Sequence, residues 1–66
     1  MKSGKEILDA ALNREKQAHD FYDGLLVHCK VDGVRKLIER LRDEEAKHVA
    51  MIEAMMVQLR LGHSPK

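Results

Sequence analysis

Sixty-six residues with 12 basic and 11 acidic side chains make one small unit of net charge +1, with no global field to select nucleic acid. A single cysteine, Cys29, excludes an intrachain disulfide and any four-cysteine iron or zinc site, and suits a reducing compartment. One Phe, one Tyr and no Trp leave no aromatic platform for stacking bases, and no apolar run approaches the roughly 20 residues that cross a bilayer.

The segment Met1 to Lys5 leads straight into an amphipathic stretch and lacks the apolar region of a signal peptide. A soluble, cytoplasmic chain with no membrane or nucleic-acid partner is expected. Ser3 and Glu6 have the S-x-x-E spacing of a capping box, which starts a first helix near Gly4 or Lys5. Its stripe is Leu8, Ala11, Glu15, Ala18, Tyr22, Leu25 and Cys29, in alternating steps of three and four, so the helix is expected over about 4–29. Lys30-Val31-Asp32-Gly33 supplies the turn, with Asp32 expected as N-cap of the next helix.

The second stripe is Val34, Ile38, Leu41, Glu45, His48, Ile52, Met55 and Leu59, predicting a helix over about 33–61. Gly62 then suits a C-terminal cap, Pro65 prevents continuation, and His63 to Lys66 should be loose. Lys30, Arg35, Lys36, Arg40 and Arg42 make this half mildly basic. Asp32, Glu39, Asp43 and Glu44 are interleaved with them, the pattern of a solvated helical face.

Helices of this length span roughly 37–44 Å each, and a short connection forces them antiparallel. Ile7 and Leu12 on the first helix, and Leu37, Val49, Met51 and Met56 on the second, widen the stripes beyond a two-helix seam. The expected architecture is all-α: residues 1–66 form one hairpin, and two copies related by a two-fold axis form a four-helix bundle, as a homodimer or a higher homo-oligomer.

Glu15, Glu45 and His48 interrupt these apolar stripes. A buried carboxylate without a partner is costly, because its charged form loses hydration and gains nothing in return. With Val31 as the centre of the turn, Glu15 lies 16 residues before it, and Glu45 and His48 lie 14 and 17 after it. Equal distance from the turn means equal height, so the three side chains converge at one level. A metal ion is the partner that suits all three. The bland alternative is a buried polar network that fixes register or oligomeric state.

Dimerisation doubles the set to four carboxylates and two imidazoles, enough for two metal ions. Carboxylate with imidazole favours iron, manganese or zinc over calcium or magnesium.

The run Glu15-Lys16-Gln17-Ala18-His19-Asp20-Phe21-Tyr22, with Leu41-Arg42-Asp43-Glu44-Glu45-Ala46-Lys47-His48, resembles the E-x-x-A-x-x-F-Y and E-E-x-x-H segments of the ferritin-like superfamily. Within it, the chain resembles rubrerythrin-type domains and, more closely, short encapsulated-ferritin-like two-helix proteins, over roughly residues 5 to 60. The resemblance implies two iron ions per dimer held by Glu15, Glu45 and His48, with ferroxidase-type oxidation of Fe(II) by oxygen or peroxide. The single cysteine excludes the four-cysteine rubredoxin module of a full rubrerythrin within these residues. The tail Leu61 to Lys66 does not resemble a shell-docking extension, so no shell partner is expected. Two other readings stay open: a non-catalytic dimer held by zinc or iron, and a helical interaction module completed by a different protein.

Three further residues are auxiliary candidates. His19, one turn after Glu15, is expected at the boundary in contact with Glu15, with an entry-site ligand as the functional alternative. Tyr22 is expected in the seam with its hydroxyl hydrogen-bonded, and a redox role is the alternative. Glu44 points about 100° away from Glu45, towards the surface or a metal entry. Cys29 reads as a small apolar end-of-helix residue, and Met51, Met55 and Met56 as core or interface fillers. His28 and His63 read as surface residues.

Overall fold

The computed structural model describes residues 2–62, which form two helices and no strand. Helix α1 runs Gly4–His28 and α2 runs Asp32–Arg60, joined by Cys29, Lys30 and Val31. Contacts are nested about the turn: Leu26 with Arg35, Asp23 with Arg42, Glu15 with His48, and Gly4 with Leu59. That order is an antiparallel hairpin. It measures 47 × 20 × 14 Å.

Local chemistry accounts for the ends. The Ser3 hydroxyl accepts from the Glu6 amide at 3.1 Å and donates to the Glu6 carboxylate at 3.3 Å. Gly62 follows α2 with φ of +79°, a conformation that favours glycine, and its amide donates to the Leu59 carbonyl at 3.1 Å. Pro65 and the expected loose tail lie outside the described residues.

The turn differs from the expectation at one residue. Val31, not Asp32, is the N-cap of α2, and its side chain makes no capping bond. Asp32 is already helical, where its carboxylate lies near the positive end of the helix dipole. The other side of the turn is fastened by Arg35, which the sequence reading did not single out. Its guanidinium donates to the Leu26 carbonyl at 2.7 Å and to the Cys29 carbonyl at 3.3 Å. Carbonyls at a helix C-terminus lack intrahelical partners, so this cation closes α1 from α2.

The seam also departs from heptad spacing. Leu25 is 40% exposed, whereas Leu26 at 5% is the one buried hydrophobic residue among those described. A straight helix drifts about 20° per heptad against a 3.5-residue repeat, and by the third turn after Glu15 that drift brings Leu26 to the contact. On α2 the side facing α1 carries Ile38, Arg42, Glu45, Val49, Ile52 and Met56, all half-buried. Val34, Leu41, His48 and Leu59, expected in the seam, lie exposed beside it.

The hairpin therefore has two unlike faces. At about 100° per residue, Ile7, Phe21 and Leu25 project to one side of the seam on α1, and Leu37, Leu41, Met51 and Met55 project to the same side on α2. All but the half-buried Met55 are exposed. The reverse side carries ion pairs: Lys5 with Asp9 at 2.8 Å, Arg42 with Asp23 at 3.2 Å, and Arg35 with Glu39 at 3.8 Å. The hydrogen bond to Asp23 raises the pKa of the Arg42 guanidinium above its ordinary value, which keeps that cross-helix pair charged.

Candidate metal centre

Glu15 comes from the middle of α1, and Glu45 and His48 from the middle of α2. The i, i+3 spacing puts Glu45 and His48 on adjacent turns of one helical face. The hairpin brings all three together: one ligand atom from each lies within 4.8 Å of the others. His48 Nδ1 is 3.4 Å from Glu15 Oε2 and 3.6 Å from Glu45 Oε2. Among the described residues, this is the group of three or more such side chains that could hold a metal ion.

Burial is graded across the group. The Glu45 side chain is 19% exposed, Glu15 28% and His48 48%. Glu45 Oε2 is buried and has no hydrogen-bond partner among the described residues. Leaving a buried acceptor unsatisfied costs about 1–3 kcal/mol, and more for a charged group. Even a charged imidazole would compensate only one of the two carboxylates.

That orphaned oxygen is an observed fit for a cation. A divalent ion would take one carboxylate oxygen from each Glu and Nδ1 of His48, satisfying the buried acceptor and the excess charge together. The oxygen and imidazole donor set suits iron, manganese or zinc. Three donors from one chain leave coordination positions for others, and His48 leans about 60° from Glu45 towards the apolar open face.

The auxiliary candidates stand apart from the group. His19 is half-buried, but its Nδ1 faces the Asp20 carboxylate at 3.3 Å, not Glu15. With Lys16, Asp20, Ala46 and Val49 it lines a shallow groove of about 260 Å³. Tyr22 is half-buried and meets Phe21 edge-to-face with centroids 5.6 Å apart, and no hydrogen bond of its hydroxyl is seen among the described residues. Glu44 is exposed and accepts from Lys47 at 3.3 Å. Cys29 is half-buried, with Sγ 3.8 Å from the Val31 carbonyl. His28 is exposed, and His63 lies outside the described residues.

A larger groove of about 440 Å³, lined by Leu12, Met56, Val57 and Leu59 with Lys5, Glu53 and Arg60, lies at the end away from the turn. Neither groove includes Glu15, Glu45 or His48.

Compared with known proteins, the chain matches the Rubrerythrin family model over residues 6–66. No curated protein and no solved structure matches it. The matched span contains all of α2, α1 from Glu6 onward and all three members of the Glu/His group, and the chain belongs to the rubrerythrin family of the ferritin-like superfamily, which implies iron binding.

Proposed function

We propose that two copies of this hairpin assemble into a four-helix bundle and hold two iron ions between them with Glu15, Glu45 and His48 of each chain. The bundle would oxidise Fe(II) with oxygen or peroxide. The observation that carries the reading is Glu45 Oε2: a buried carboxylate oxygen with no hydrogen-bond partner among the described residues, in a group of two acids and an imidazole. Family membership supports iron as the cation.

When bound, the iron pair supplies the electrons for the oxidant and passes from Fe(II) to Fe(III). The chain's own part is electrostatic and steric. Glu15 and Glu45 concentrate negative charge in the half-buried seam, which favours the more highly charged ferric state. His48 contributes a neutral nitrogen donor and leaves the carboxylates to offset the cation charge. Covering the apolar open face would exclude bulk water from the donors while leaving coordination positions free for the oxidant.

An open face of this kind supports assembly. Each Leu- or Ile-sized side chain gains about 1.5–3 kcal/mol on full burial, and the hairpin buries almost none of them alone. Metal binding and assembly should be linked, since each chain supplies half of the ligands.

The test is an anaerobic Fe(II) titration followed by air, run beside a solution-mass measurement. One iron per chain, a dimer or larger multiple, and rapid appearance of ferric near-ultraviolet absorbance are expected. Binding that is colourless and indifferent to oxygen would reduce the protein to a metal-stabilised dimer.

A further inference from the structure

Sulfur is concentrated beside the Glu/His group. Met51, Met55 and Met56 all follow His48 on α2, at i+3, i+7 and i+8. At about 100° per residue, Met51 lies about 60° and Met55 about 20° from His48, both towards the open face. Met56 lies about 80° to the other side, where it lines the groove beside Leu12 and Val57.

The three thioethers therefore form a graded series. Met51 is 69% exposed, one turn from His48, at a spacing that sets the two Cβ atoms about 5–6 Å apart. Met55 is half-buried and lies two turns away, about 10 Å along the helix axis. Met56 is half-buried and faces away from the open side of the group. The other sulfur among the described residues, Cys29, sits at the turn, about 20 Å along the hairpin from Glu15.

The chemistry of the open face gives this series a use. When two Fe(II) ions reduce oxygen, two electrons and two protons convert it to hydrogen peroxide. A thioether removes peroxide in a single two-electron step. Sulfur forms a bond to one peroxide oxygen as the O–O bond breaks, and the other oxygen leaves as water after a proton shift. Peroxide leaving on the open side of His48 meets the Met51 sulfur before any other.

We propose that Met51 is an internal peroxide trap, its thioether converted to the sulfoxide by hydrogen peroxide formed at the Glu/His group. Met55 is reached second, and Met56 is spared. Each chain traps one peroxide by this route, and a methionine sulfoxide reductase is the class of enzyme that resets it. The inference rests on the iron-oxidising reading above and on no particular pairing of hairpins.

Peptide mass spectrometry of the full chain tests it, after aerobic Fe(II) oxidation with catalase present. Catalase destroys peroxide that has reached bulk water, so only transfer close to the source survives. Met51 should gain one oxygen, with about tenfold or more the sulfoxide found at Met56. Met51 left unmodified while ferric absorbance develops overturns the trap and leaves the iron-oxidising reading standing. No ferric absorbance at all overturns that reading, and the trap with it. Peroxide added to metal-free protein beside catalase should modify none of the three. Equal Met51 oxidation there would reduce the effect to surface exposure and overturn local transfer. Met51→Leu removes the sulfur with little change of volume. Without catalase, peroxide should reach solution after a lag in the parent protein and without one in Met51→Leu, at the same rate of iron oxidation. Equal lags in the two proteins overturn the proposal.

Discussion

The two faces of the hairpin obey different rules. On the reverse side, charged residues meet within the chain: Asp23 with Arg42, Lys5 with Asp9, Arg35 with Glu39. Each is satisfied in water, and the apolar surface on that side is confined to Val27 near the turn and the groove beside Leu12 and Val57 at the far end. On the open side, Ile7, Leu25, Leu37, Leu41 and Met51 stand exposed, and the polar residues beside them belong to the Glu/His group or lie next to it. One side is largely charge-paired within the chain. The other is the apolar face proposed for assembly, and its polar spot coincides with the candidate metal centre.

Placing a charge on each side in turn would break the contrast most severely. Leu41→Asp puts a carboxylate into the proposed interface and should reduce the solution mass to that of the 7.6 kDa monomer. Val57→Asp, on the reverse side, should leave the mass unchanged. Light scattering with and without iron reads both. Equal loss of assembly in the two variants would mean that the faces are not distinct.

The metal centre comes next in size of effect. Glu45→Ala or His48→Ala should weaken metal binding by at least a hundredfold, measured by titration calorimetry, and leave helical circular dichroism intact. Glu45→Leu sharpens the point, because it removes an orphaned buried acceptor worth about 1–3 kcal/mol. In a chelator, this variant should melt several degrees above the parent. With metal at a hundred times its dissociation constant the order should reverse, since the parent then gains about 2.7 kcal/mol that the variant cannot.

Much of this was legible before any coordinates. Spacing from the turn brought Glu15, Glu45 and His48 to one height, and the hairpin does bring their ligand atoms together. Ser3 and Gly62 were readable because capping chemistry is local. Leu26 was not, because heptad counting assumes a supercoil that the isolated pair does not follow. The rotation of α2, which moves His48 and Leu41 to the margin, is set by packing across the seam and leaves no mark in the spacing alone. His19 was assigned to Glu15 by the i, i+4 rule, yet its neighbour Asp20 offers a nearer carboxylate.

Arg35 was missed for a related reason. Its bonds to Leu26 and Cys29 span the turn, and within the basic run Lys30 to Arg42 nothing distinguishes it from a solvated cation. Arg35→Ala should cost about 1–2 kcal/mol by chemical denaturation, near the lower end for a hydrogen bond to a charged group because the side chain is partly exposed. Arg35→Lys should recover part of this, since one ammonium cannot copy the fork of a guanidinium. Metal affinity per folded molecule should be unchanged in both.

The smallest effect is expected at His19, and it bears directly on where the functional boundary of the molecule lies. The residue sits one turn from Glu15 but on the reverse side of the seam, lining a groove with Lys16 and Asp20. A ligand role would require it to turn away from Asp20 and reach across the contact between helices. A surface ion pair of this kind contributes about 0–1 kcal/mol. His19→Ala should therefore shift stability by less than about 0.5 kcal/mol and metal affinity by less than about twofold. A tenfold loss of metal affinity with the fold intact would extend the metal chemistry through the seam, and the division between a charge-paired face and the face proposed for metal and assembly would have to be redrawn.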